Sequence, residues 1–203
     1  MYLPKEFACT EHAQSVELMR AHPFATVVGV VDGAPEIAHL PVLILEHEGA
    51  LLVQAHVARG NPIAQLAAQG AQLTFVFHGP HGYVSPSLYL SAPQVPTWNY
   101  AVVHASGQVR ALPNDREKMQ HLEALVSTFE RGRAQPWSLE SSRALSTQLL
   151  TGIIAFEVQV SHLETKLKLS QNRAPEDRAA VLRHYESSQN ADERAMAALM
   201  RQL

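Results

Sequence analysis

The chain has 203 residues, 46% of them hydrophobic and 17% charged, and a formal net charge of −3 at pH 7. That length buries a real core without covalent staples, and 16 Lys and Arg against 19 Asp and Glu argue against the broad basic face of a DNA-binding surface. The single cysteine, Cys9, excludes an intrachain disulfide and a cysteine-based zinc site and fits a reducing cytoplasm. MYLPKEF at the start has no apolar leader core, and no apolar run nears the ~18 residues of a membrane span, so a cytosolic chain is expected.

Glu11 to Ala21 reads as a helix stopped by Pro23. Phe24 to Val31 is rich in β-branched residues and reads as a strand, with Asp32-Gly33 as a tight hairpin turn. Pro35 to Leu45 returns as a second strand that Pro41 interrupts, and Ala50 to Val57 is a third. Asn61 to Ala68 is a short helix closed by Gly70. Gln72 to Phe77 is a strand expected to end in a loop around His81-Gly82, and Tyr100 to Arg110 is another strand. Asn114 with Glu117 three residues on has the spacing of a capping box, and opens a helix with an apolar stripe from Met119 to Phe129. A short helix over Ser141 to Leu150 precedes a late strand, Ile153 to Val160, that closes the sheet or barrel. Capping signals at Pro175 and at Asn190 open two final helices. Short antiparallel strands with helices between and after them predict an α+β chain, mainly β, built as a small barrel. The expected division is a barrel domain over 1–172 and a C-terminal helical hairpin over 173–203.

Four segments carry chemistry. In HVARGNP, from His56 to Pro62, a strand runs into a helix with Pro at its first turn. Backbone N–H groups at such a corner face an anion along the positive end of the helix dipole. Arg59 adds a permanent cation, Gly60 permits close approach, and His56 and Asn61 flank them. An ordinary turn with a solvated arginine has the same composition. His78 to Pro86 packs two Gly and two Pro into one stretch with Tyr83 and Ser85 as donors, and a rigid surface loop is its plain alternative. Val95 to Tyr100 sets Trp98 beside the amide of Asn99, which suits the face and edge of a flat ring, or simply a core tryptophan. In Lys166 to Asn172, alternation places Lys166, Lys168 and Ser170 on one face, offering a phosphate or ring-edge contact or an exposed strand end. Together they point to a flat, phosphorylated ligand, with flavin mononucleotide (FMN) the candidate. No P-loop, dinucleotide fingerprint or nucleophile elbow is present.

MYLPKEF, HLPVLI (His39 to Ile44), HVARGNP, GPHGYVSPSLY, VPTWNYAVVHASG and KLSQN resemble the PaiB family, bacterial proteins described as FMN-binding negative transcriptional regulators. The resemblance runs from Met1 to about Arg178, and the combination of VPTWNY with KLSQN is its specific part. It implies a split β-barrel of the flavin-reductase and pyridoxamine-phosphate-oxidase type, a homodimer, and FMN in the groove between subunits. The implied phosphate contacts are His56, Arg59, Gly60 and Asn61, with Lys168 and Ser170 as contributors and Trp98 and Asn99 near the ring. Leu88 stands where the family pattern has an aromatic residue, and Gly60 where a larger residue is usual. Two functions follow: a flavin-dependent oxidoreductase, or a transcriptional regulator for which flavin or another small molecule is the sensed ligand. A barrel that holds haem or another small anion in place of flavin is a third reading. For DNA, the arginines of the last two helices alternate with acids, which suits a packed hairpin better than a recognition helix.

Overall fold

A computed structural model describes residues 1–202. The elements in chain order are β1 (Ala8–Cys9), α1 (His12–Ala21), β2 (Phe24–Val31), β3 (Ala34–Pro41), β4 (Leu43–His47), β5 (Ala50–Ala58), α2 (Pro62–Gln69), β6 (Gln72–Val84), β7 (Thr97–Leu112), α3 (Asp115–Glu130), α4 (Arg143–Leu149), β8 (Ile153–Lys168), α5 (Pro175–Ser187) and α6 (Ala191–Met200). Backbone contacts divide the chain into two compact units. The first holds residues 1–21, 78–103 and 164–203, and the second holds 22–77 and 104–163.

The second unit is an antiparallel sheet. Its strand order is β3-β2-β6-β7-β8-β5-β4. β2 pairs with β3 in the register Phe24↔Pro41 to Val31↔Ala34, closed by the Asp32-Gly33 turn with both residues at positive φ. That is the geometry a tight primed turn demands. The return expected as one strand from Pro35 to Leu45 is two, because Val42 leaves the ladder and donates its N–H to Pro23 O at 2.9 Å. Val27, Val53, Leu73, Phe75, Phe156 and Val158 are fully buried, and α2 lays Ile63 and Leu66 over Gly29 of β2 beside Leu73. Gly107 lets two strands meet: a Cβ there would lie 1.9 Å from Gln159 O. α2 is capped at both ends as its sequence predicts, with the Asn61 side chain accepting from Ile63 N and Gly70 left-handed at φ 66. The capping box of α3 also forms, since Asn114 Oδ1 accepts from Glu117 N at 2.8 Å.

The first unit gathers α1, the end of β6, the start of β7, the end of β8, and α5 and α6. Met19, Val181, Tyr185, Met196 and Met200 are completely buried in it. Here two expectations fail. The loop predicted around His81-Gly82 is strand, because β6 continues to Val84. Its glycines mark close approach rather than a turn. A Cβ at Gly82 would meet the Tyr185 ring at 2.7 Å, and one at Gly79 would meet Ala101 and Leu18 at 3.0 Å. Likewise β8 runs on from Val160 to Lys168, so the KLK segment is ladder, and β1 pairs with it through Ala8↔Lys166.

Candidate functional site

The structure places the eight candidate residues in two groups, one in each unit. His56, Arg59, Gly60 and Asn61 belong to the second unit; Trp98, Asn99, Lys168 and Ser170 belong to the first.

In the second unit the corner after β5 consumes much of its own hydrogen-bonding capacity. Arg59 N donates to Gly152 O and its Nε to Thr151 O, both at 2.8 Å. Asn61 N donates to Ala58 O at 2.9 Å, and Ile63 N is taken by the Asn61 side chain. Gly60 faces open space. His56 turns away from this corner into a pair, its Nδ1 lying 3.0 Å from Nε2 of His121 on α3, the rings edge to face at 73°. His121 is 2% exposed, and its Nδ1 has no hydrogen-bond partner among the described residues. Burial, and then the neighbouring His56, push its pKa down to about 4. Burial lowers His56 as well. The pair is therefore neutral at pH 7, with one ring donating to the other. Nothing in the sequence singles out His121, which lies at the margin of the expected apolar stripe, one turn before Leu125.

The first unit brings its four candidates together. Asn99 and Ser170 are both buried and closed on each other: Asn99 Nδ2 donates to Ser170 Oγ at 2.9 Å, and Ser170 Oγ donates to Asn99 Oδ1 at 3.1 Å. They join the start of β7 to the end of β8 rather than offering free donors. Ser170 holds this contact at φ 61, a left-handed backbone uncommon outside glycine. Trp98, next along β7, points the other way and is 52% exposed. Its ring packs against His81 (centroids 6.0 Å apart, tilted 38°) and Tyr83 (5.7 Å, 63°), both from the end of β6. Neither His81 nor Tyr83 could be paired with Trp98 from the sequence, because that pairing needs β6 to stay a strand through Gly79 and Gly82.

Beside this aromatic shelf lie three cations. Lys168 Nζ donates to Thr97 Oγ1 and, at 2.9 Å, to Trp98 O. Lys166, 8% exposed, donates to Tyr2 O at 3.1 Å, with the rings of Tyr2, Phe7 and Tyr100 5.4–6.0 Å away. Arg173 donates to Gln94 Oε1 at 2.8 Å and stacks 5.0 Å over Tyr89. These side-chain bonds all end on uncharged oxygens. Burial, then Lys166 and Arg173, lower the pKa of Lys168. The nearby carboxylate, Asp177, is engaged elsewhere: it accepts from Leu90 N, Ser91 N and Ser91 Oγ at 2.6, 3.2 and 2.5 Å. The corner thus joins an exposed aromatic cluster to an ammonium held on the Trp98 backbone, with the Asn99–Ser170 pair tying β7 to the end of β8. Such a corner suits a flat ring with an electron-rich edge. Among the described residues no group of three or more His, Cys, Asp or Glu could hold a metal ion, and no helix is long and apolar enough to cross a membrane.

Comparison with known proteins bears on the same chemistry. Residues 1–162 match the family model "Putative FMN-binding domain". The chain is 33% identical over 202 residues to the Bacillus subtilis protein "Protease synthase and sporulation protein PAI 2", covering 98% of this chain and 96% of that one. Among solved structures it is similar to the FAD and heme binding protein of Mycobacterium smegmatis (TM-score 0.61, 22% identity, 85% of this chain and 79% of that one). It is similar to a flavocytochrome from Azotobacter vinelandii at the same TM-score, 15% identity, and 85% and 75% coverage. At these identities the structural likeness is one of fold, the split barrel of flavin-binding proteins. The chain therefore belongs to the FMN-binding family typified by PaiB, and FMN is that family's cofactor.

Proposed function

We propose that this protein binds FMN with the flavin ring against the shelf of Trp98, Tyr83 and His81, its polar edge toward Lys168. The observation that carries this reading is the exposed tryptophan fixed between two other rings beside a cation. A large aromatic is normally core, and this one is held in place without being covered. The donor set fits the group: flat faces for the ring and an ammonium for its oxygens. When bound, FMN supplies hydride or electron transfer. Lys168 orients the ring edge, Asn99 and Ser170 keep β7 and β8 in register beneath it, and the aromatic faces exclude water. The test is titration of the purified protein with FMN, following fluorescence in a Trp137→Phe background so that Trp98 alone reports. Saturable quenching of Trp98 is expected, and the affinity of Trp98→Ala, read from the flavin's own emission and compared with the parent read the same way, should be weaker by about tenfold or more; unchanged emission in both readouts up to 100-fold excess of the titrant rejects the reading. Arg59→Ala, tested likewise, asks whether the corner after β5 contributes to binding at all.

The expected homodimer has a candidate face. Phe24, Val30 and Ile37 are all exposed on β2 and β3, an apolar strip of the kind that marks an interface. Light scattering that returns a monomer at micromolar concentration rejects it. A regulatory role is the second reading; the Bacillus subtilis relative is named for protease synthesis and sporulation. Against DNA contact by α5 and α6, three arginines in or just after these helices are engaged within the protein: Arg201 with Glu186, Arg178 with Met200 O and Arg194 with Ser188 O. Flavin binding, with oxidoreductase chemistry, is therefore the reading the geometry favours.

A further inference from the structure

The cations at the end of β8 have a property that the shelf alone does not explain. Lys166 and Arg173 both lie near enough to repel the Lys168 ammonium, and the side-chain bonds of all three end on uncharged oxygens. Asp177, the carboxylate that senses Arg173, is committed to the loop at Leu90 and Ser91. Lys168 is not a loose tether. Two of its three N–H groups are held by Thr97 Oγ1 and by the carbonyl of Trp98 itself, which pins the charge one residue from the proposed ring. A fixed charge placed where negative charge develops acts without reorganising.

Oxidised FMN carries no net charge on its ring. Reduction adds two electrons and, near neutral pH, one proton, leaving the ring with one negative charge; ribityl chain and phosphate are unchanged. A positive corner at the ring therefore distinguishes the two states, whereas one at the phosphate does not. Resting on the flavin reading above, we propose that the Lys166–Lys168–Arg173 corner makes this protein bind fully reduced FMN more tightly than oxidised FMN, so that its occupancy follows the redox state of the flavin pool. The crowding also lowers the pKa of Lys168, after burial, and a bound anion relieves that repulsion. At contact separations and an effective dielectric of about 20, one such cation favours the anion by on the order of tenfold or more.

The experiment measures oxidised-FMN affinity first, by titration of the full chain, then the midpoint potential of bound and free FMN in one spectroelectrochemical cell with dithionite as reductant. The bound midpoint is expected at least ~30 mV above that of free FMN, which for a two-electron couple is tenfold tighter binding of the reduced form. Lys168→Met should lose most of that shift, weakening reduced FMN about tenfold or more beyond any loss of oxidised affinity, and Lys168→Arg should restore it. A bound potential at or below the free value overturns the proposal. So does Lys168→Met weakening both states equally, since that marks Lys168 as a phosphate contact. No binding of oxidised FMN at all fails earlier and rejects the flavin reading itself.

Discussion

The corner after β5 and the corner after β8 look alike on paper, each a strand end carrying a cation and small polar residues, yet they are built in opposite ways. At the first, Arg59, Asn61 and Ile63 direct N–H groups to their own backbone or to Asn61, and the arginine side chain holds Thr151 O. At the second, three cations meet uncharged oxygens and an open aromatic face. A motif names donors; only the fold says which are already used. The second corner leaves its charge unspent, and so it is the one assigned to the ring.

The largest effects that set the units apart come from glycines. Gly107→Ala in the second unit drives a Cβ to 1.9 Å from a backbone oxygen that cannot step aside; a loss of at least about 4 kcal/mol by urea denaturation, or no folded protein, is expected. Gly82→Ala in the first unit meets the Tyr185 ring at 2.7 Å, and a ring can tilt. Its cost should be about 1–3 kcal/mol. Equal costs would mean that the two approaches are not different in kind.

Acid should weaken the units through different groups. In the second, His121 and His56 have folded pKa values below the unfolded 6.5, so the unfolded chain binds more protons between the two values. Stability is therefore full above about pH 6.5 and is lost as pH falls toward about 4, by on the order of 3 kcal/mol for His121. His121→Leu should flatten that slope in urea titrations at pH 7.5, 5.5 and 4.5; an unchanged slope sinks the assignment. In the first unit Asp177 is depressed, chiefly by the Ser91 hydroxyl. Its contribution holds above the unfolded value of 3.8 and fades as pH falls through the lower folded value. Asp177→Ala should free the segment 90–96 to proteolysis at neutral pH, where the native protein resists.

The smallest expected effect is a gain. Glu48 sits at φ 49 in the β4–β5 turn, a conformation glycine adopts without penalty, so Glu48→Gly should add about 0.5–1 kcal/mol to stability. A loss instead would show that its side chain does more than occupy the turn.

Elements with local signals were legible in sequence. Phe24–Val31 is a strand residue for residue, and both α2 and α3 begin at the asparagines that cap them. What stayed hidden depends on distant partners. Gly79-Pro80-His81-Gly82 has turn composition, but Leu18, Ala101 and Tyr185 lie against those glycines and make them strand. Local patterning suggests that Asn99 and Ser170 are ligand donors; only the fold shows each satisfying the other. The His56–His121 pair joins residues 65 positions apart, with nothing in either neighbourhood to announce it. Trp98 and Lys168, an aromatic and a lysine near strand ends, are conspicuous by type, and the fold brings Lys168 Nζ to 2.9 Å from Trp98 O.

Ser170 narrows what this corner tolerates. Glycine would adopt its left-handed backbone freely but bring no hydroxyl to Asn99; alanine would lose the hydroxyl and keep the steric penalty; threonine would keep the hydroxyl and add a β-branch where the backbone is least forgiving. One small alcohol thus satisfies two demands that pull toward different amino acids. Homologues with another residue there should have changed position 99 in step, a covariation that follows from stereochemistry alone.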